Sequence, residues 1–284
     1  MFYRSYQPVP ALSPYVQSLH LVIGLPQPGT VRELWPDSCV ELVFGFGAPL
    51  FIAEQAPPCE APPVYRIAAL AGPLSLFTPG PTIIVRAQLY AWGAAPLLGA
   101  TSVRTAAAVH PLDDVSWMAL SRAIGQALGR DDPGAAIAIL QQGLLARAAM
   151  VAPADRALAA AQQLWLAGGQ IAIRDLALCH GLSTRQLERT FGALAGIGPK
   201  RLARAIRFER VRDALWQEER GDLRSLALRY GYADQAHLTR EVKAFTGRSP
   251  VRLTRALRAD YALVRDLDVA FLQEAAEPHG HARH

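Results

Sequence analysis

Two stretches of the chain repeat one arrangement of apolar and polar positions: LALCHGLSTRQLERTF at 176–191 and LALRYGYADQAHLTREV at 226–242. Leu176-Ala177-Leu178 stands ahead of Gly181 as Leu226-Ala227-Leu228 stands ahead of Gly231, and the offset grows from 50 to 51 residues within the turn. Ser183 and Asp234 then fall in register. Both are good N-caps, because a side-chain oxygen there accepts from the unpaired N–H groups of a first helical turn. Counted from the caps, positions +4, +8 and +11 hold Leu187, Phe191 and Leu194 in one copy and Leu238, Val242 and Phe245 in the other. These positions share one helix face, which predicts the buried side. Arg185, Glu188 and Arg189 in the first copy, and Gln235, Ala236, Thr239 and Arg240 in the second, lie off that face. Gly196 and Gly247, then Pro199 and Pro250, close the copies at matching places. Each copy reads as a short helix, a glycine turn and a capped helix with a polar outer face. That is the helix-turn-helix arrangement, whose second helix enters the DNA major groove.

Between the copies, PKRLARAIRFERVRDALWQEE (199–219) runs without a breaker until Gly221. A helix of about 20 residues spans about 30 Å, close to the roughly 34–36 Å between successive major-groove faces. Its Lys200, Arg201, Arg204 and Arg207 are expected to be exposed, either for phosphates or as a solvated face. Ahead of the first copy, PADRALAAAQQLWLAGG (153–169) has Pro at its start and Gly-Gly at its stop.

The first hundred residues have a different texture. CVELVFGFG (39–47) and TIIVRAQLYAW (82–92) read as strands, and the Pro-rich EQAPPCEAPP (54–63) as a loop. Two helices follow, in DDVSWMALSRAIGQALG (113–129) and DDPGAAIAILQQGLLARAAM (131–150). Asp113 or Asp114 caps the first, with Val115, Met118, Ile124 and Leu128 as its stripe; Ile137, Leu140, Leu144 and Leu145 line the second. The pair serves either as packing for the β domain or as a subunit interface. The fold class expected is α+β: a mainly β domain over 1–112, a helical linker over 113–151, an all-α domain over 152–258 with two helix-turn-helix units joined by a long helix, and a C-terminal helix and disordered tail over 259–284. His279, His281 and His284 in that tail are read as a frayed terminus rather than a metal site.

Charge separates these parts. The formal net charge is +5, but residues 152–258 hold 19 Lys and Arg against 10 Asp and Glu, so that segment alone carries +9 and the remainder −4. Positive charge gathered in one segment fits a polyanionic partner for that segment only. Three scattered cysteines, Cys39, Cys59 and Cys179, show neither disulfide nor metal spacing and fit a reducing compartment. MFYRSYQPVP lacks the charged and apolar regions of a secretory leader, and apolar runs are cut well short of the roughly 18 residues of a membrane span. A cytoplasmic, non-membrane protein is expected, with no cofactor, no metal and no catalytic residues.

The repeated pattern, with its YGY turn, Leu238, Arg240 and closing FTGRSP, resembles the DNA-binding domain of the AraC/XylS family of bacterial transcription regulators over about residues 154–258. The resemblance implies seven helices in which one monomer reads two adjacent groove segments of double-stranded DNA. Two departures stand out. Leu238 and Val242 occupy places where Phe is common, and Gly192 stands where a basic residue often does. Glycine inside a helix costs roughly 1 kcal/mol. WPDSCVELVF (35–44), LAGPLSLF (70–77), RAQLYAWGAAPLLG (86–99) and HPLDDV (110–115) are similar to the sensor-like domain that precedes many such domains. That likeness implies binding of a small-molecule effector, or dimerisation.

By resemblance the base-facing residues are Arg185, Glu188, Arg189, Gln235, Ala236, Thr239 and Arg240. Arg suits guanine, Glu cytosine, Gln adenine, and the Thr and Ala methyls suit thymine. Glu188 otherwise pairs with Arg185 on the surface, and Arg240 otherwise serves structure. Ser183, Thr184, Lys200, Arg201, His237 and Lys243 are the phosphate candidates, with His237 equally readable as a surface residue. For an effector pocket the candidates are Trp35, Asp37, Glu41 and Trp92, although Asp37 beside Pro36 also reads as a turn residue. A partnership with RNA polymerase follows if the regulator activates, and a homodimer is open. The alternatives are a ligand-independent regulator whose N-terminal domain only makes protein contacts, and a DNA-alkyl-damage repair protein. The repair chemistry needs reactive cysteines, often with a zinc site, which this cysteine pattern argues against.

Overall fold

The structure, a computed structural model, describes residues 2–24, 31–53, 57–68, 72–104, 108–150, 156–217 and 222–258. The predicted tail after 259, with its three histidines, lies outside the described residues.

Strand-forming segments in the first half pair into two antiparallel sheets. The larger has the order β1 (Phe2–Tyr6), β2 (Val16–Gly24), β9 (Thr82–Tyr90), β4 (Cys39–Gly47), β7 (Val64–Ile67) and β10 (Val109–Pro111). The smaller has the order β3 (Arg32–Leu34), β8 (Leu74–Phe77), β5 (Phe51–Ile52) and β6 (Cys59–Glu60). β4 and β9 coincide with the two predicted strands; the Pro-rich stretch read as a loop contains β6, paired to β5.

Alternation along β4 divides its side chains between two cores. Val40, Leu42 and Phe44 join one with Leu19, Leu21, Val85, Ala87 and Leu89, while Val43 joins Tyr65, Ile67, Leu74 and Leu76 between the sheets. The first core is closed by α3 (Val115–Leu128) and α4 (Pro133–Ala148), through Trp117, Ile124, Ile137, Leu140 and Leu144. The helices expected between the domains thus give their inner faces to the β domain. Asp114 caps α3, accepting from Ser116 N and Trp117 N at 2.9 and 3.1 Å. The predicted stripe of α3 needs correction: Val115 is 83% exposed, and Trp117, Ser121, Ile124 and Ala127 form the buried face. Trp117 is the largest side chain on that face, and Arg147 stacks on its ring 3.5 Å from the centroid.

A 3-10 turn (Ala91–Gly93) and two short helices, α1 (Ala94–Leu98) and α2 (Ala100–Arg104), follow β9. The helical part comprises α5 (Arg156–Leu166), α6 (Ile173–Cys179), α7 (Thr184–Ala195), α8 (Pro199–Gln217), α9 (Leu223–Arg229), α10 (Gln235–Thr246) and helical residues 250–258, here α11. Two cores sit along α8. Leu202, Ala203 and Ile206 face α5–α7, and Phe208, Val211, Ala214 and Leu215 face α9–α11. Ala91 and Trp92 of the β domain belong to the first of these cores, so the two parts share buried apolar surface.

Candidate nucleic-acid interface

The two repeats fold alike in their turns and helix ends. Leu182 N donates to Ala177 O at 2.9 Å, and Tyr232 N to Ala227 O at 2.8 Å, closing the turns at Gly181 (φ +62°) and Gly231 (φ +76°). Ser183 caps α7 in a reciprocal box: Gln186 N donates to Ser183 Oγ at 3.2 Å, and Ser183 N to Gln186 Oε1 at 2.8 Å. Asp234 caps α10 by accepting from His237 N at 2.6 Å. Gly196 and Gly247 end the helices in the left-handed conformation.

Burial sorts the two faces. Leu187, Phe191, Leu238, Val242 and Phe245 are buried. Leu194, predicted with them, is only half-buried, and Ala195 takes the innermost place. Outward stand Arg185, Glu188, Arg189, Gln235, Ala236 and Arg240, all exposed, with Thr239 half-buried. Glu188 makes no ion pair with Arg185 among the described residues; its carboxylate lies over Gly198 in the turn to α8, where a Cβ would meet its Oε2. Gly192 does not interrupt α7, whose chain of bonds continues through it to Gly196 N at 3.2 Å.

Of the phosphate candidates, Ser183, Thr184, Lys200, Arg201 and Lys243 are exposed. His237 is half-buried, edge-on to Tyr232 with ring centroids 5.3 Å apart. Two arginines expected to be exposed on α8 instead brace the domain. Arg204 grips Glu241 of α10 in a bidentate pair, Nε to Oε2 and Nη2 to Oε1 both at 2.9 Å. Arg207 donates to Gly169 O at 2.6 Å, and Arg210 to Trp165 O at 3.0 Å, so both meet the carbonyl end of α5. The acceptors lie some 40 residues away in sequence, which the local pattern of α8 does not reveal.

The four pocket candidates do not share a pocket. Trp35 leans on the α8–α11 core and carries Arg248 over its ring at 4.9 Å. Trp92 donates to Pro14 O at 2.9 Å and stacks on Tyr90, which meets Trp165 of α5 edge-on. Asp37 accepts from Cys39 N at 3.0 Å, and its carboxyl is pushed up to about 7 by burial, then by the charges of Glu209 and Glu41, against the pull of Arg212. These three lie at the junction with the helices.

Glu41 is elsewhere, between the sheets, paired with Arg86 of β9. Around Arg86 stand residues the sequence pattern did not single out. Tyr3 bonds His20 Nδ1 at 2.6 Å, and Ser18 bonds His20 Nε2 at 2.8 Å and Gln88 at 3.1 Å. Burial, then the Arg86 charge, lowers His20 to about 4. The Nε of Arg86 is buried without a partner among the described residues. The only trace in the sequence is polar residues in alternate places on β2 and β9; their meeting depends on strand register, His20 opposite Arg86.

Among the described residues no group of three or more His, Cys, Asp or Glu could hold a metal ion, and no helix is long and apolar enough to cross a membrane.

A family model described as a helix-turn-helix domain matches residues 176–256, the span from α6 into α11. No curated protein matches the chain. Among solved structures, it is similar to the C-terminal domain of AraT, a response regulator from Geobacillus stearothermophilus, at 24% identity over 37% of this chain and 87% of that one, TM-score 0.34. It is also similar to a transcriptional regulator of the AraC-type DNA-binding domain-containing proteins from Chromobacterium violaceum, at 21% identity over 36% and 91%, TM-score 0.33. ToxT from Vibrio cholerae aligns at 9% identity over 84% and 99%, TM-score 0.45.

Proposed function

We infer that this chain, whose residues 176–256 belong to the AraC-type helix-turn-helix domains, is a DNA-binding transcription regulator that reads two adjacent major-groove segments. One observation carries the reading. Two helices with capped starts and matching turns carry outward polar side chains that bond no described residue, and one continuous helix of 19 residues, α8, spaces them. That helix is about 28 Å long at 1.5 Å per residue, near one helical repeat of DNA.

In this scheme Arg185, Arg189 and Glu188 read one segment, and Gln235, Ala236, Thr239 and Arg240 the next. Glu188 and Arg240 enter as readers because neither is tied up in an ion pair among the described residues. Ser183, Thr184, Lys200, Arg201, His237 and Lys243 hold phosphates. Arg204 and Arg207 are left out, because their guanidinium groups already have protein partners.

The effector site is the polar cluster of Glu41, Arg86, His20 and Tyr3 inside the β domain, supported by the unpartnered Nε of Arg86. A ligand there would act through Trp35, Asp37 and Trp92, which join the β domain to the helices. Dimerisation through α3 and α4, and contact with RNA polymerase, would complete a cytoplasmic regulator.

Selection of bound DNA from a random library tests the core of the reading. Sites with two short motifs about one helical turn apart are expected. Recovery of no motif would overturn it. DNA binding that no metabolite alters would favour the ligand-independent version.

A further inference from the structure

Past the end of α10 the chain builds a second basic surface that the DNA reading does not use. Arg248, Arg252 and Arg255 line a cleft of about 540 Å³ with Ala256. The depression is open to solvent, as suits a charged group held at the surface. Arg252 and Arg255, three residues apart, share one side of α11, and Arg248 lies in the turn just ahead of it, whereas Leu253 is fully buried and Leu257 packs on the same core.

The frame under these arginines is fixed. Arg248 N donates to Thr246 Oγ1 at 3.1 Å, and that buried hydroxyl donates to Val242 O at 2.7 Å. Leu253 N closes the first turn of α11 on Ser249 O at 2.9 Å.

Charge in the cleft is unbalanced. Arg248 pairs with Glu33 of β3 at 2.6 Å. The guanidinium groups of Arg252 and Arg255 bond no described residue, and both are exposed. Three cations therefore face one carboxylate. The planar guanidinium fork matches phosphate oxygens two at a time.

Position separates this surface from the groove-reading one. The base-facing residues occupy the first half of α10, whereas Arg248 lies past the end of that helix, beyond the left-handed Gly247. Arg248 is also turned to the β domain, against Glu33 and the Trp35 ring.

We propose that the Arg248–Arg252–Arg255 cleft binds a small metabolite bearing a phosphate or diphosphate group at the seam between the β domain and the second helix-turn-helix unit. Arg252 and Arg255 hold the phosphate oxygens, and Arg248 is shared between the ligand and Glu33. A ligand that draws Arg248 from Glu33 loosens β3 from the turn behind α10. The effect of that release on transcription rests on the DNA-binding reading; the binding itself does not.

Calorimetric titration of the full chain with pyrophosphate, at constant ionic strength and without DNA, tests the site. One binding event is expected, weakened about tenfold or more in Arg252→Gln/Arg255→Gln. The doubly Lys-substituted chain, which keeps charge but loses the fork, should fall between. Arg122→Gln, an exposed change on α3, should leave binding as it was. Circular dichroism checks that each variant folds. Absence of binding, or equal binding in the double Gln variant, overturns the proposal. So does a double Gln variant that binds pyrophosphate normally but all DNA sequences more weakly, because the arginines would then be backbone ligands. Failure of the random-library selection would leave the pyrophosphate result standing, so the two readings fail separately.

Discussion

The Glu209 carboxylate, midway along α8, accepts from both the backbone N–H of Ser38, at 3.1 Å, and the Ser38 hydroxyl. One turn further, Arg212 reaches Pro36 O at 3.2 Å. The segment ahead of β4 thus grips the helix that spaces the two DNA-reading units. Ser38 is buried, so its hydrogen bond to a charged group should contribute about 1–3 kcal/mol. Ser38→Ala and Glu209→Gln should each lower the urea midpoint, and the double variant should lose less than the sum. A double-mutant cycle measures this, with a coupling of roughly 0.5–3 kcal/mol expected. Strict additivity would show that the two groups act independently.

Beside that contact, Asp37 gives the junction a pH dependence of defined sign. Its folded-state carboxyl is raised from 3.8 to about 7, so between those values the folded chain holds a proton that the unfolded chain has lost. Stability from this group is complete below about pH 3.8 and falls as pH rises through 7. His20 works the other way. Its value is lowered from 6.5 to about 4, so its contribution is lost as pH falls through that interval. The two act in opposite senses over overlapping ranges, so the Asp37 effect is read as the difference between the parent chain and Asp37→Asn. The melting temperature of the parent relative to Asp37→Asn should fall as pH rises from about 4 to about 7 and stay level above that. A constant difference across that range would remove Asp37 as a cause.

The helix-turn-helix units were legible because their determinants are local: the caps Ser183 and Asp234, the turns at Gly181 and Gly231, and the apolar i, i+4 spacing all act within a dozen residues. The same holds for β4 and β9, each nine residues long and rich in apolar and β-branched side chains. Features set by distant partners were not legible. The meeting of Glu41 with Arg86 needs the β4–β9 register, and the gathering of Trp35, Asp37 and Trp92 against the helices needs the packing of two domains. Arg204 and Arg207 looked like free cations because Glu241 and Gly169 O stand far off in sequence.

That difference between arginines on one helix is measurable. Arg204→Ala removes the brace between α8 and α10, with a loss of about 1 kcal/mol for a pair partly open to solvent. It should leave the salt dependence of DNA binding unchanged. Lys200→Ala should do the reverse: unchanged stability, weaker binding to every sequence, and a salt slope shallower by about one. Arg185→Ala should cost about 1–3 kcal/mol on the selected site and relax base preference at one position. Equal losses on selected and random DNA for Arg185→Ala and Lys200→Ala would remove the division between base and phosphate contacts.

Gly196 and Gly247 hold the same place in the two repeats and nearly the same conformation, φ +70° and +67°. A side chain in that left-handed region costs roughly 1–2 kcal/mol, so alanine at either position should carry that penalty. Their surroundings differ. A Cβ on Gly247 would meet nothing within 4 Å, whereas one on Gly196 would run into the Val103 carbonyl oxygen of α2. The end of the first recognition helix therefore rests on the β domain at backbone distance, and that of the second stands clear. Gly196→Ala should lose more stability than Gly247→Ala, by several kcal/mol if the backbones cannot part. If they part, limited proteolysis should release the helical domain from Gly196→Ala while Gly247→Ala stays intact. Equal stability and equal proteolysis patterns for the two variants would show that α7 is not seated against α2.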